Sequence, residues 1–174
     1  MEQSMIVNRI WTEMHKIKGY VVQIEIYTSR KRNGNKLATI CAIVASVLCF
    51  LSSIIPGNIW WITSIIAFAS ASSMLLKEFL PFIKQPESEL IQLDRIHDFY
   101  KEYLRNLENL FTLRYNKKSD IDDGKMLEKY NEIAETEGSH ESDLNRLQLK
   151  LTNREEKKVI EITRNYFQIN YPQL

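Results

Sequence analysis

Between Leu37 and Leu76 the chain carries no Asp, Glu, Lys or Arg over 40 consecutive residues, although charged residues make up 26% of the whole. A single helix needs about 20 apolar residues to cross a hydrocarbon core of about 30 Å, so the run has room for two. The break is marked by Ile54-Ile55-Pro56-Gly57-Asn58, which sets a helix breaker, a residue free to take positive φ and a turn former side by side. Two spans are therefore predicted, Leu37–Ile55 and Ile59–Leu76, each about 27–29 Å long as helix. A helix packed in a soluble core normally keeps a polar face, and neither segment has a charged position at any phase. The expectation is an all-α membrane protein with three parts. An N-terminal amphipathic helix occupies 1–36, a two-helix transmembrane hairpin 37–76, and a C-terminal helical region 77–174.

The flanks predict the orientation. Arg30, Lys31, Arg32 and Lys36 precede the first span, Lys77 and Lys84 follow the second, and the turn carries no charge. Positive flanks stay inside, so both termini are expected in the cytoplasm of a multi-pass membrane protein, with Pro56-Gly57 outside. Trp60 and Trp61 beside the turn suit the headgroup layer. The apolar run begins 36 residues in with no cleavage-type segment before it, which does not read as a secretory signal. Residues 1–36 hold seven Lys/Arg against three acids, a balance that suits an anionic leaflet and is no evidence for nucleic acid. Cys41 and Cys49, eight apart within the first span, read as small apolar residues rather than a disulfide or metal framework.

Outside the run, helical periodicity dominates. Ile6, Ile10, Met14, Ile17, Val21 and Ile24 recur at spacings of three and four, opposite Glu2, Arg9, Glu13, Lys16 and Gln23. Asn33-Gly34-Asn35 is expected to interrupt that helix. A long helix is predicted from Glu87, with Leu93, Ile96, Tyr100, Tyr103, Leu107 and Leu110 forming an a/d seam widened by Leu90, Leu104 and Phe111. Such a stripe serves either an intramolecular bundle or self-association, and the six seam residues are candidates for an oligomer contact. Asn116–Ser119 reads as a loop, and Asp120–Glu137 as a helix with Ile121, Leu127, Tyr130, Ile133 and Ala134 inward and Gly138 as its stop. From Ser142 to Asn170 the apolar positions are Leu144, Leu147, Leu151, Val159, Ile162, Tyr166 and Ile169, with a capping-box pattern at Thr152 and Glu155 dividing the stretch.

Catalytic and metal chemistry finds little support. Asp120-Ile121-Asp122-Asp123-Gly124 resembles a calcium loop only superficially: its glycine falls at position five and Asn131 occupies position twelve. It reads better as an acidic helix start. His15, His97 and His140 lie on separate segments and read as structural. No Walker loop, G-x-S-x-G or zinc spacing occurs, so the expectation is a protein that is not an enzyme and holds no cofactor or metal. In the apolar run, Ala38, Ala42, Ser46, Cys49 and Ser53 form a small-residue stripe, echoed by Thr63, Ala67 and Ser70. Such stripes let helices approach closely in lipid, as hairpin packing or as the face of an oligomeric pore.

The amphipathic N-terminal helix, the Arg30-Lys31-Arg32 flank, the hairpin around Pro56-Gly57 and the helical C-terminal region occur in an order that resembles the SLATT family. These are bacterial two-transmembrane effector domains associated with nucleotide-signal synthases and sensors, and the likeness covers nearly the whole chain. The resemblance implies a pore-forming effector of antiphage defence, partnered with a nucleotidyltransferase as in Hailong-type systems. It rests on layout, so no functional residue is carried across. What it implies is an oligomeric ion channel, with a tetramer favoured, gated by a nucleotide or oligonucleotide that the partner makes. The alternative is a non-conducting membrane anchor or scaffold presenting a cytoplasmic helical platform. Arg114, Lys117 and Lys118, clustered at the end of the long helix, are candidate ligand contacts; a helix C-terminus favouring positive charge is the simpler explanation.

Overall fold

The computed structural model of the chain describes residues 5–54, 87–115 and 122–172. Regular structure among them is entirely helical, in the order α1 (Met5–Ile54), α2 (Glu87–Tyr115), α3 (Asp123–Glu135), α4 (Gly138–Leu147) and α5 (Asn153–Asn170). The chain divides into two compact units, one made of Met1–Thr28 with Ile91–Leu174 and the other of Ser29–Leu90. Helix α1 contributes to both and runs unbroken through Asn33-Gly34-Asn35, where an interruption was expected. Gly34 takes no positive φ, and a glycine within an established helix costs only about 1 kcal/mol relative to alanine, too little to break it.

The structure corrects the expectation of a membrane hairpin. Among the described residues no helix is long and apolar enough to cross a membrane. Within α1 the uncharged residues run only from Leu37 to Ile54, about 27 Å of helix against the roughly 30 Å of a hydrocarbon core. The placement as a multi-pass inner-membrane protein with both termini cytoplasmic rested on those spans and falls with them. The turn at Pro56-Gly57 and the segment Ile59–Leu76 lie outside the described residues. On the described stretch, Leu37, Ile40, Ile43, Val44 and Val47 are each at least half exposed.

In the other unit the periodicity of α1 is realised as burial. Ile10, Met14 and Ile17 are fully buried, and Val21 and Ile24 nearly so. They pack with all six residues of the α2 stripe, Leu93, Ile96, Tyr100, Tyr103, Leu107 and Leu110, in one core that also takes Met126, Tyr130, Leu144 and Phe167. The two helices run antiparallel: Trp11 meets Phe111, Tyr20 meets Tyr100, and Glu25 meets His97. The stripe proposed as an oligomer seam is thus occupied by packing within one chain. An ordinary bundle helix describes these six side chains.

Two short helices and a capped one complete the bundle. Asp122, in extended conformation, precedes α3, and Asp123 places a carboxylate in its first turn, the acidic helix start expected there. Gly138 does not stop that helix; it is the first residue of α4 and takes no positive φ. Helix α4 ends at Gln148, whose φ of 42° is left-handed, a conformation that suits glycine better. Thr152 opens α5 with the expected capping box: its hydroxyl accepts from the Glu155 N–H while the Glu155 carboxylate accepts from the Thr152 N–H.

Two faces differ from the sequence reading. On α3, Met126 is fully buried while Leu127 is largely exposed. On α5 the buried residues are Thr163 and Phe167, whereas Ile162 is exposed and Ile169 is 77% exposed. The inward face is turned by one position, about 100° on a helix. An aromatic ring stacked between neighbours outweighs an aliphatic position of better nominal phase.

Candidate functional site

Three faces of the N-terminal half of α1 meet three different neighbours. The aliphatic face takes α2. A second face takes the corner between α3 and α4, where Lys16 Nζ lies 3.3 Å from Glu13, 3.4 Å from Glu137 and 3.3 Å from Glu141. One lysine therefore faces three carboxylates. Burial works against the Lys16 charge, but Glu13 and Glu137 outweigh it and hold the ammonium well above its ordinary range. Burial pushes the Glu137 carboxyl up, and Lys16 pulls it back. The Tyr100 and Tyr103 phenols are also pushed up, first by burial and then by Glu137. Both hydroxyls are buried without a hydrogen-bond partner among the described residues. This cluster joins helices α1, α3 and α4.

The third face meets α5 and leaves an open groove with a cavity volume of about 490 Å³. Helix α1 lines it with Trp11, His15 and Gly19, positions i, i+4 and i+8 on one side of a helix. Helix α5 supplies Val159, Ile160, Thr163, Arg164, Phe167 and Gln168, and Tyr171 closes one end. The wall is aromatic. The His15 ring stacks on Phe167 with centroids 3.7 Å apart and planes 16° apart. Trp11 sets its edge to Phe167 at 5.1 Å and to Tyr171 at 5.4 Å. His15 Nδ1 lies 3.0 Å from the Trp11 carbonyl oxygen. Because a carbonyl can only accept, Nδ1 carries the proton and Nε2 of the neutral ring is left as an acceptor.

The polar groups of the groove are few. The Thr163 hydroxyl is buried and has no hydrogen-bond partner among the described residues. Arg164 is exposed at the rim and makes no ion pair among them, and no Asp or Glu lines the groove. Gly19 faces open space, since a Cβ built there meets nothing within 4 Å. Its φ is not positive, so backbone geometry does not require a glycine either. Behind the groove, Lys18 Nζ lies 3.9 Å above the Tyr166 ring, and the Tyr166 hydroxyl donates to Glu108 at 2.6 Å. Burial lowers the Lys18 pKa against the pull of Glu25 and Glu108, and burial raises that of Tyr166. These contacts fix α5 against α1 and α2.

Few of the residues singled out in the sequence fall at this groove. Ser46 is exposed on α1. The side chains of Ala38, Ala42, Cys49, Ser53 and Arg114, and the residues Thr63, Ala67, Ser70, Lys117 and Lys118, lie outside the described residues. Each histidine has a structural partner: His15 on Phe167, His97 on Glu25 at 3.0 Å, and His140 stacked on Phe99 at 3.9 Å. Trp11, Gly19, Thr163, Phe167 and Tyr171 were missed by sequence reasoning. The available signal was Trp11, His15 and Gly19 recurring at four-residue spacing beside the aliphatic stripe. Comparison with known proteins returns no matching family model, no matching curated protein and no matching solved structure.

Proposed function

We propose that this chain acts by binding rather than by catalysis, as a helical effector module whose signal is read in the groove between α1 and α5. The observation that carries this is Gly19. A glycine in a helix interior costs about 0.5–1 kcal/mol relative to alanine, and neither φ nor a close neighbour accounts for it here. Its one structural effect is to bare the α1 backbone at the floor of an aromatic groove. That is where a ligand gains contact, and concave, mostly apolar sites with a few placed polar groups are the usual form of small-molecule sites. Binding is also favoured over acid–base chemistry by His15, which a backbone carbonyl orients and no carboxylate does.

The resemblance to SLATT effectors makes the signal a nucleotide or oligonucleotide from a partner nucleotidyltransferase. The channel output it also implies needs membrane spans, which no described helix supplies, and forms no part of the proposal. The test is calorimetry on the purified chain with mononucleotides, cyclic nucleotides and short oligonucleotides. One of them binds the native chain and loses at least tenfold in affinity in Gly19→Leu, whose helical circular dichroism is unchanged. Binding that survives this substitution places the site elsewhere, and no binding across the series rejects a nucleotide signal.

A further inference from the structure

We infer that the α1–α5 groove takes a small planar aromatic anion, its ring held against the aromatic wall at His15 and its charge by Arg164. The inference rests on the reading of this groove as the binding site, and derives the ligand's class from the lining alone.

Shape comes first. The groove is walled by rings from two helices, and its floor is an α-helix bared by a missing side chain at Gly19. His15 and Phe167 already stack face to face, while Trp11 stands edge-on to Phe167 at 68° and Tyr171 stacks against it at 26°. A flat ring is the group that extends such a stack, because offset-stacked and edge-to-face arrangements are the favoured geometries of aromatic pairs. An alkyl chain would gain the apolar contact without that preference.

Charge comes next. The lining contains one permanent cation, Arg164, and no carboxylate. Arg164 makes no ion pair among the described residues, so its planar guanidinium is open to a carboxylate or phosphate at the rim. One further polar group points the same way. His15 Nδ1 is engaged with the Trp11 carbonyl, which leaves Nε2 to meet the polar edge of a bound ring.

The test uses three probes that share one ring system: 2-naphthoate, 2-naphthyl phosphate and the neutral 2-naphthamide. Each is titrated into the purified chain, with binding followed by probe fluorescence and by the His15 ring resonances. The expected result is that at least one anion binds at least tenfold more tightly than the amide, shifts the His15 resonances, and loses its advantage in Arg164→Gln. Which of the two anions binds separates a carboxylate source from a phosphate one. Gly19→Leu, whose Cβ meets nothing within 4 Å and whose longer side chain occupies the floor, abolishes binding of every probe while the fold is retained by circular dichroism. An amide that binds as well as both anions overturns the anion class and leaves the groove standing as a site. Binding unaffected by Gly19→Leu, or the absence of binding by all three probes at millimolar concentration, overturns the inference and the groove together.

Discussion

Helix α1 holds two regions of opposite design. Up to Thr28 its apolar residues keep to one face, and that face is used up: Ile10, Met14 and Ile17 have no exposure at all. From Leu37 onward no charge appears at any phase, and Leu37, Ile40, Ile43, Val44 and Val47 remain 51–64% exposed. A segregated pattern tells a helix which side to bury, whereas a uniform one gives it no preferred face. The first region is therefore specified by its own chain. The second displays a contiguous apolar surface, a kind that marks an interaction face in folded proteins.

The sharpest way to break this comparison is to truncate one side chain in each region. Leu107, fully buried against α1, should lose about 2–5 kcal/mol as Leu107→Ala, the range for buried leucines. Ile40→Ala, on the exposed stretch, should leave the same urea transition within about 0.5 kcal/mol, as exposed positions generally do. Unfolding followed by circular dichroism measures both. Equal costs would show that the apolar stretch is packed as tightly as the core.

Polar pairing gives the next largest effect. Lys16→Ala leaves Glu13, Glu137 and Glu141 facing one another without a cation. The lysine is 36% exposed, so solvent screening holds the cost to about 1 kcal/mol at neutral pH. The sign with pH follows from Glu137, whose carboxyl is raised in the folded state from its ordinary 4.5. A raised carboxyl stabilises the fold while protonated; that contribution is full below 4.5 and is lost as pH rises through the folded value. Lys16 limits this loss, and its own contribution is constant over the same window because its pKa is raised from 10.5. The gap between native chain and Lys16→Ala should thus be small near pH 4 and widen toward pH 7. A gap that narrows over that range would show that the three carboxylates are not coupled to the lysine.

The same contrast explains what the sequence disclosed. The α1 and α2 stripes were legible because their buried residues are aliphatic or tyrosine at regular spacing, and the Thr152–Glu155 cap because its chemistry is local. The phase of α5 was not. Its anchor is Phe167, chosen by a stack on His15, a partner 152 positions away that no local pattern shows. The groove was hidden for the same reason, being formed by two stretches from opposite ends of the chain. The uncharged run misled in the other direction, since composition alone suggested two spans and no described helix is long and apolar enough to be one. Local chemistry is testable on its own terms: Thr152→Ala removes the two bonds of the Thr152 hydroxyl, one accepted from the Glu155 N–H and one donated to its carboxylate, and should cost about 1 kcal/mol, read as a lower urea midpoint. No change would mean that α5 is held by Phe167 alone.

The smallest expected effect places one substitution in each of the two compact units that share a single helix. Gly19 and Gly34 both lie inside α1, both lack a positive φ, and a Cβ at either meets nothing within 4 Å. Replacing glycine by alanine where the backbone conformation permits it stabilises by about 0.4–1 kcal/mol, chiefly by restricting the unfolded chain. Gly19→Ala should therefore raise the urea midpoint of the bundle, since residue 19 belongs to the unit built on α2–α5. Gly34→Ala belongs to the other unit and should leave that midpoint unchanged. Its effect should be local instead, seen as slower amide hydrogen exchange around Asn33 and Asn35, where the helix gains propensity without new contacts. Equal midpoint shifts from the two substitutions would show that α1 unfolds as one cooperative element, erasing the distinction between its halves. A shift from Gly19→Ala alone would establish that the division of the helix is energetic as well as compositional.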